Sequence, residues 1–142
     1  MKKGLLCALT VLLIDQISKA FVLSYFARNA APVEIAPFFN FVLAWNKGVS
    51  FSMFHSNHPA MPWVLVTVAL LICAVITHWM YTEKNVPTVL CFGMILGGAL
   101  GNVIDRVRFR AVVDFLDFHI GAHHWPAFNA ADSAICIGAG VI

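Results

Sequence analysis

Long apolar runs, broken by two polar-flanked stretches and one short link, set the organisation of the chain. Runs over 4–26, 62–81 and 86–104 are each close to the roughly 20 apolar residues that cross a bilayer core, so each predicts a spanning helix. A fourth run, 128–142, predicts another helix that stops short of a comfortable crossing. We expect the chain to continue past it, its C-terminal end being truncated here. The pattern predicts an all-α membrane protein, with four transmembrane helices in a single polytopic domain over 1–142.

The two connecting segments, 27–61 and 105–127, fall on one side of the membrane if all four helices cross. The short link 82–85 then shares the other side with the N-terminus. Within the first segment, residues 33–54 are rich in Phe, Val and Trp and broken by Pro and by Asn46-Lys47-Gly48. This predicts short strands with a bend at the glycine. Lys2 and Lys3 ahead of an apolar run resemble the start of a signal peptide. No A-x-A cleavage site follows, however, and Asp15 interrupts the run, so a retained helix is expected. A Lys/Arg count puts the long segments in the cytoplasm, because they hold Arg28, Lys47, Arg106, Arg108 and Arg110 against Lys2, Lys3 and Lys84. The first helix usually dominates orientation, and its flanks favour an N-terminus inside. We expect that arrangement, with the long segments outside.

Composition supports the membrane reading. Of 142 residues, 61% are hydrophobic and 11% charged, against about 25% charged in average soluble domains. Mean hydropathy is +0.83. A net charge of +2 with no polybasic run argues against a nucleic-acid partner. The four cysteines, Cys7, Cys73, Cys91 and Cys136, all lie in apolar stretches without a C-x-x-C pair. They read as small buried hydrophobes rather than a disulfide or zinc framework.

Charges inside apolar runs cost at least about 2.5–3.5 kcal/mol each on insertion scales and so require a reason. Asp15 and Lys19, four residues apart, share one helix face and read as an ion pair. Gly93, Gly97, Gly98 and Gly101 carry the small-xxx-small spacing of close helix approach, toward a neighbouring helix or toward a substrate. Asn102, Asp105 and Arg106 crowd the end of the same helix, either as interfacial charges or as site residues. Asp114 lies among apolar residues, and Asp132 lies at the mouth of the last helix. Singly, they read as a loop acid and a helix N-cap. Together, two carboxylates in a poorly solvated site share one proton, so one serves as base on a water and the other as acid. His119, His123 and His124 near Asp117 raise a zinc reading. No H-E-x-x-H is present, and Gly121 and Pro126 oppose a helix there. A metal site is therefore not expected there.

Five blocks in order carry a resemblance over nearly the whole chain. They are Asp15-Gln16-Ile17-Ser18-Lys19, Asn46-Lys47-Gly48-Val49-Ser50-Phe51, Gly97 through Arg106, Val112-Val113-Asp114-Phe115, and Phe128-Asn129-Ala130-Ala131-Asp132. In these the chain resembles the lipoprotein signal peptidases (signal peptidase II), bacterial membrane aspartyl proteases. The resemblance implies cleavage of signal peptides from prolipoproteins, just before a diacylglyceryl-modified cysteine. It implies a catalytic dyad at Asp114 and Asp132, with neither a metal nor an organic cofactor. Around it, Asn46, Gly48, Asn102, Arg106 and Asn129 would hold substrate or orient the acids, and Asp15, Lys19 and Asp105 would support the site. It also implies a small extracytoplasmic β-like domain between helices 1 and 2. The site would lie near the outer face of the bacterial inner membrane, in a monomer among membrane lipids, blocked by globomycin-type cyclic peptides. Two rival readings stand beside it. A small transporter or assembly factor would explain Asp15 and Lys19 but not the paired acids, and no repeat symmetry supports it. A zinc-dependent membrane protease would be separated by its sensitivity to chelators.

Overall fold

The computed structural model describes residues 1–48 and 58–142. Val49, Ser50, Phe51 and Phe54, expected from sequence in the strand-and-turn region, lie outside the described residues.

Three long helices dominate: α1 (Lys2–Phe26), α2 (Met61–Thr82) and α3 (Val86–Phe109). All three are long and apolar enough to cross a membrane. Pro87 at the start of α3 needs no amide partner there, and the Asn85 side chain accepts the Thr88 amide at 3.3 Å to cap it. The helix outruns the apolar run that predicted it by five residues, because Asp105 and Arg106 are buried by the rest of the fold rather than solvated. It ends where Arg110 takes the left-handed conformation at φ 61°. The last helix, α4 (Ala130–Val141), has 12 residues. At about 1.5 Å per residue it rises roughly 18 Å, short of the ~30 Å hydrocarbon core.

Helix α3 is the central element, packed against α1, α2 and α4. Its glycines explain how. A Cβ on Gly93 or Gly97 would collide with the α1 backbone at Gly4 and Ala8, and one on Gly101 would collide with the Asp15 carboxylate. A Cβ on Gly98 would meet the Ala131 carbonyl of α4. The small-residue face therefore serves neighbouring helices on two sides, not a substrate. An apolar core of Ala8, Cys73, Ile76, Met80, Val89, Phe92 and Leu96 fills the space between α1, α2 and α3. Cys136, expected buried, is exposed on α4, a helix whose main neighbours among the described residues are α3 and α1.

The sheet corrects the expectation that the β region belongs to the segment between helices 1 and 2 alone. Strands β1 (Val33–Ala36) and β2 (Phe39–Asn46) come from that segment, but β3 (Val112–Ile120) and β4 (His123–His124) come from the segment after α3. They form one antiparallel order, β1-β2-β3-β4. The strand β3 follows α3 after a two-residue turn, and its Val113 and Phe115 pack with Val22 of α1 in a second core. A bulge between Phe41 and Ala44 shifts the β2–β3 register, so Ala44 faces Asp114 and Asn46 faces Val112. The chain before α4 then bonds to β3, with Phe128 accepting the amides of Phe115 (3.0 Å) and Leu116 (2.9 Å). That pairing delivers Asn129 beside Asp114.

Candidate active site

Asp15, Lys19, Asn46, Asn102, Asp105, Arg106, Asp114, Asn129 and Asp132 are all buried. They come from α1, β2, α3, β3 and the start of α4, and the fold brings them into one polar cluster. Gly48, the tenth residue singled out from the sequence, joins through its backbone.

Lys19 is the centre of the support. Its Nζ lies 2.8 Å from Asp15 Oδ2 and 2.9 Å from Asp105 Oδ2, and donates to Asn102 Oδ1 at 3.1 Å. An ammonium has three protons, so all three are used. The expected pair of Asp15 and Lys19 is thus one edge of a larger group. Asp15 Oδ1 accepts the Ala131 amide at 3.0 Å, and Asp105 Oδ2 accepts the Val113 amide at 3.1 Å. The two carboxylates tether α4 and β3 to the bundle, and Asp105 is buried within this cluster rather than lying at the surface as an interfacial charge. Gln16, which sequence reasoning placed in a motif but gave no role, donates to Asp15 Oδ2 (3.2 Å), Asp105 Oδ1 (3.1 Å) and Gly101 O (3.3 Å). A polar residue inside an apolar span was the signal that marked it.

Two amides connect this group to the paired acids. Asn102 Oδ1 faces the donor-only Lys19, which turns its Nδ2 toward Asp132 Oδ1 at 2.9 Å. Asn129 Oδ1 accepts the Asp132 amide at 2.9 Å, which turns its Nδ2 toward Asp114 Oδ1 at 2.7 Å. Each amide is oriented by a group that can only donate, so each must present N–H to a carboxylate. The helix cap of α4 is therefore Asn129; Asp132, read singly as the cap, sits in the first turn with its side chain bonded to Asn102 instead. Asn129 Nδ2 also lies 3.3 Å from Asn102 Oδ1, joining the two arms.

Asp114 is pushed up to about 7 by burial first and then by the charge of Asp132, against hydrogen bonds from Asn46 and Asn129. The charge of Asp132 thus reaches the Asp114 carboxyl and adds to the effect of burial. Arg106 donates from Nη2 to Gly48 O at 2.7 Å, and the Gly48 amide donates to Asn46 Oδ1 at 2.9 Å. Arg106 thus holds the bend that carries Asn46. An apolar groove of about 250 Å³ runs from Leu65, Val68 and Ile72 of α2 past Ile95 and Ala99 of α3 to Ile135 of α4. Asn102 and Arg106 also line it, so it touches the polar cluster.

The histidines lie elsewhere, in the β3–β4 hairpin. His124 Nδ1 is 2.9 Å from Asp117 Oδ1, and its ring stacks on His119 at 4.7 Å between centroids. Burial alone would raise Asp117, but His124 and Asn40 outweigh it and hold the carboxyl below its ordinary value. Among the described residues, no three His, Cys, Asp or Glu side chains gather into a metal-holding group. His119 Nε2 is buried there without a hydrogen-bond partner among the described residues.

Residues 7–142 match the family model described as Signal peptidase (SPase) II. A lipoprotein signal peptidase of Paraburkholderia phymatum is 46% identical over 139 residues, covering 95% of this chain and 81% of its own length. One from Polynucleobacter necessarius subsp. necessarius is 44% identical over 137 residues, covering 95% and 83%. Among solved structures, a bacterial membrane enzyme determined by the in meso method at 2.3 Å resolution superposes with a TM-score of 0.82 at 26% identity, over 99% of this chain and 85% of that one. With a match running almost end to end, the chain belongs to the signal peptidase II family of membrane peptidases.

Proposed function

We propose that the chain is an aspartyl endopeptidase that removes the signal peptide from diacylglyceryl-modified prolipoproteins, cutting just before the lipidated cysteine, with Asp114 and Asp132 as the reacting pair. The observation that carries this reading is the buried carboxylate pair, each member held by an N–H from an amide that its surroundings cannot reverse. Asp114, raised to about 7, holds the shared proton, and Asp132 is the base. Asp132 takes a proton from water as the water oxygen adds to the scissile carbonyl carbon, and Asp114 gives its proton to the carbonyl oxygen. In the collapse, Asp132 passes the water's proton to the amide nitrogen. The C–N bond breaks, and a hydroxyl proton returns to Asp114. No cofactor enters this cycle.

The substrate reaches the pair sideways. The apolar groove between α2 and α4, floored by α3, suits the apolar stretch of a signal peptide, and it meets polar groups at Asn102 and Arg106. We assign residues 1–142 to one polytopic domain in which α1, α2 and α3 cross the membrane and α4 enters it as the fourth span, with the N-terminus in the cytoplasm. The pair then faces the outer surface of the bacterial inner membrane. The awkward positive charges of the outer segments support this, since Arg106 is consumed by the site and Arg110 lies over the Trp63 ring at 4.3 Å. The enzyme acts as a monomer surrounded by lipid, and globomycin-type cyclic peptides block it by occupying the groove and the pair.

The test is cleavage of a diacylglyceryl prolipoprotein by detergent-purified enzyme, comparing wild type, Asp114→Asn and Asp132→Asn with and without a chelator. Folded variants without activity and an indifferent chelator are expected. Residual cleavage by either variant, or loss of wild-type activity with chelator, overturns the assignment.

A further inference from the structure

Strand alternation places Asp114, Leu116, Phe118 and Ile120 on one face of β3. At about 3.3 Å per residue, Phe118 and Ile120 lie roughly 13 and 20 Å along that face from Asp114. The far end of the strand opens into an apolar cavity of about 610 Å³, walled by Phe38, Phe118, Ile120 and Trp125 with the rings of the hairpin histidines. Phe118 is held there by stacking on Phe39 (4.6 Å) and Phe128 (5.8 Å). Ile120 is 86% exposed and Trp125 59%, much apolar surface for positions outside the spanning helices.

The cavity shares a wall with a pocket at the site. Trp125 also lines a smaller pocket of about 200 Å³ together with Phe128, Cys136 and Asp132 itself. Apolar side chains therefore line the way from one of the paired acids, past Phe128 and the shared Trp125, to Phe38, Phe118 and Ile120. The groove between α2 and α4 is separate, lined by none of these residues. A substrate cut here carries two apolar bodies, the signal peptide before the scissile bond and the acyl chains just after it. An acyl chain reaches about half the ~30 Å hydrocarbon core, or roughly 15 Å, which matches the distance from Asp114 to the cavity.

We infer that the path from Asp132 past Trp125 to the Phe38–Phe118–Ile120 cavity is the subsite for an acyl chain of the substrate's diacylglyceryl cysteine. This rests on the function proposed above. The hairpin acts as a lipid-measuring arm: chains long enough to reach the cavity gain contact with it, and short chains do not.

The experiment measures kcat/KM for synthetic lipopeptides spanning the cleavage site, bearing either two long (about sixteen-carbon) or two short (about six-carbon) acyl chains. Wild type is compared with Phe38→Ser/Ile120→Ser, both exposed positions outside the reacting machinery. Detergent partitioning affects both enzymes alike and cancels in the long-to-short ratio. That ratio is expected to fall about tenfold in the variant, as loss of two apolar walls predicts, with short-chain cleavage retained. An unchanged ratio overturns the subsite while leaving the peptidase reading intact. If Asp114→Asn cleaves like wild type, both fall. A second arm reads Trp125 directly, as the fluorescence lost in Trp125→Phe. Quenching by substrate with brominated acyl chains, bound to Asp114→Asn, supports the subsite. Equal quenching by brominated phospholipid without substrate assigns the cavity to bilayer lipid and overturns it.

Discussion

Replacing Asp114 by Asn should abolish cleavage and yet make the protein more stable above neutral pH. Burial and the charge of Asp132 raise this carboxyl from 3.8 to about 7. The folded state therefore holds the proton more tightly than the unfolded chain does. Below the unfolded value both states are protonated and nothing is lost. As pH climbs, the unfolded chain ionises first, so stability falls across the interval and is fully lost above about 7. With 1.36 kcal/mol per unit, the penalty is roughly 2 kcal/mol at pH 5 and roughly 4 kcal/mol at pH 8. Asn fills nearly the same space, keeps an oxygen for Asn129 Nδ2, and has no charge to bury. The relevant quantity is the difference between the two proteins as a function of pH. Thermal unfolding in one detergent, followed from pH 5 to 8, should show wild type losing about 2–3 kcal/mol more than Asp114→Asn, several degrees in Tm for a chain of this size. A Tm difference that does not change with pH would mean that Asp114 does not titrate in this window, and the assignment of the proton to it would fail.

Three further outcomes follow from the same geometry. The pH profile of kcat/KM should fall above about 7, because Asp114 loses the proton it donates; a profile flat from about pH 4 to 9 would refute coupled acid and base roles. Lys19→Met leaves Asp15 and Asp105 buried without their cation and should cost about 3–5 kcal/mol, read as a large drop in Tm; an unchanged Tm would show that the cluster is solvated. Gly97→Leu drives a side chain into the Ala8 carbonyl and should destabilise the α1–α3 contact by about 3 kcal/mol or more, reducing folded yield as well as cleavage; intact folding with selective loss of cleavage would return this face to the substrate.

The apolar runs alone determined that the chain forms long helices suited to a membrane, because segment length and side-chain transfer are properties of the local sequence. The same holds for the suspicion attached to Asp15, Lys19, Asp105 and Arg106, since a charge in an apolar run needs a partner wherever the run ends up. Sequence order also carried the family motifs that single out Asp114 and Asp132. It could not show that they meet. Their approach depends on β3 leaving α3 at Arg110, on the bulge in β2, and on the hydrogen bonds from β3 to Phe128 that bring Asn129 alongside. The sheet was half visible: the strands before α2 announce themselves by composition, but the pairing of β2 with β3 joins residues 66 to 79 positions apart and leaves no local mark. The direction of each glycine face was equally hidden, because spacing states that something comes close without stating what. Only the tertiary structure decided that Asn129, not Asp132, caps α4. With Asn129 taking the helix end, the Asp132 carboxylate is turned inward, where Oδ1 accepts from Asn102 Nδ2 at 2.9 Å.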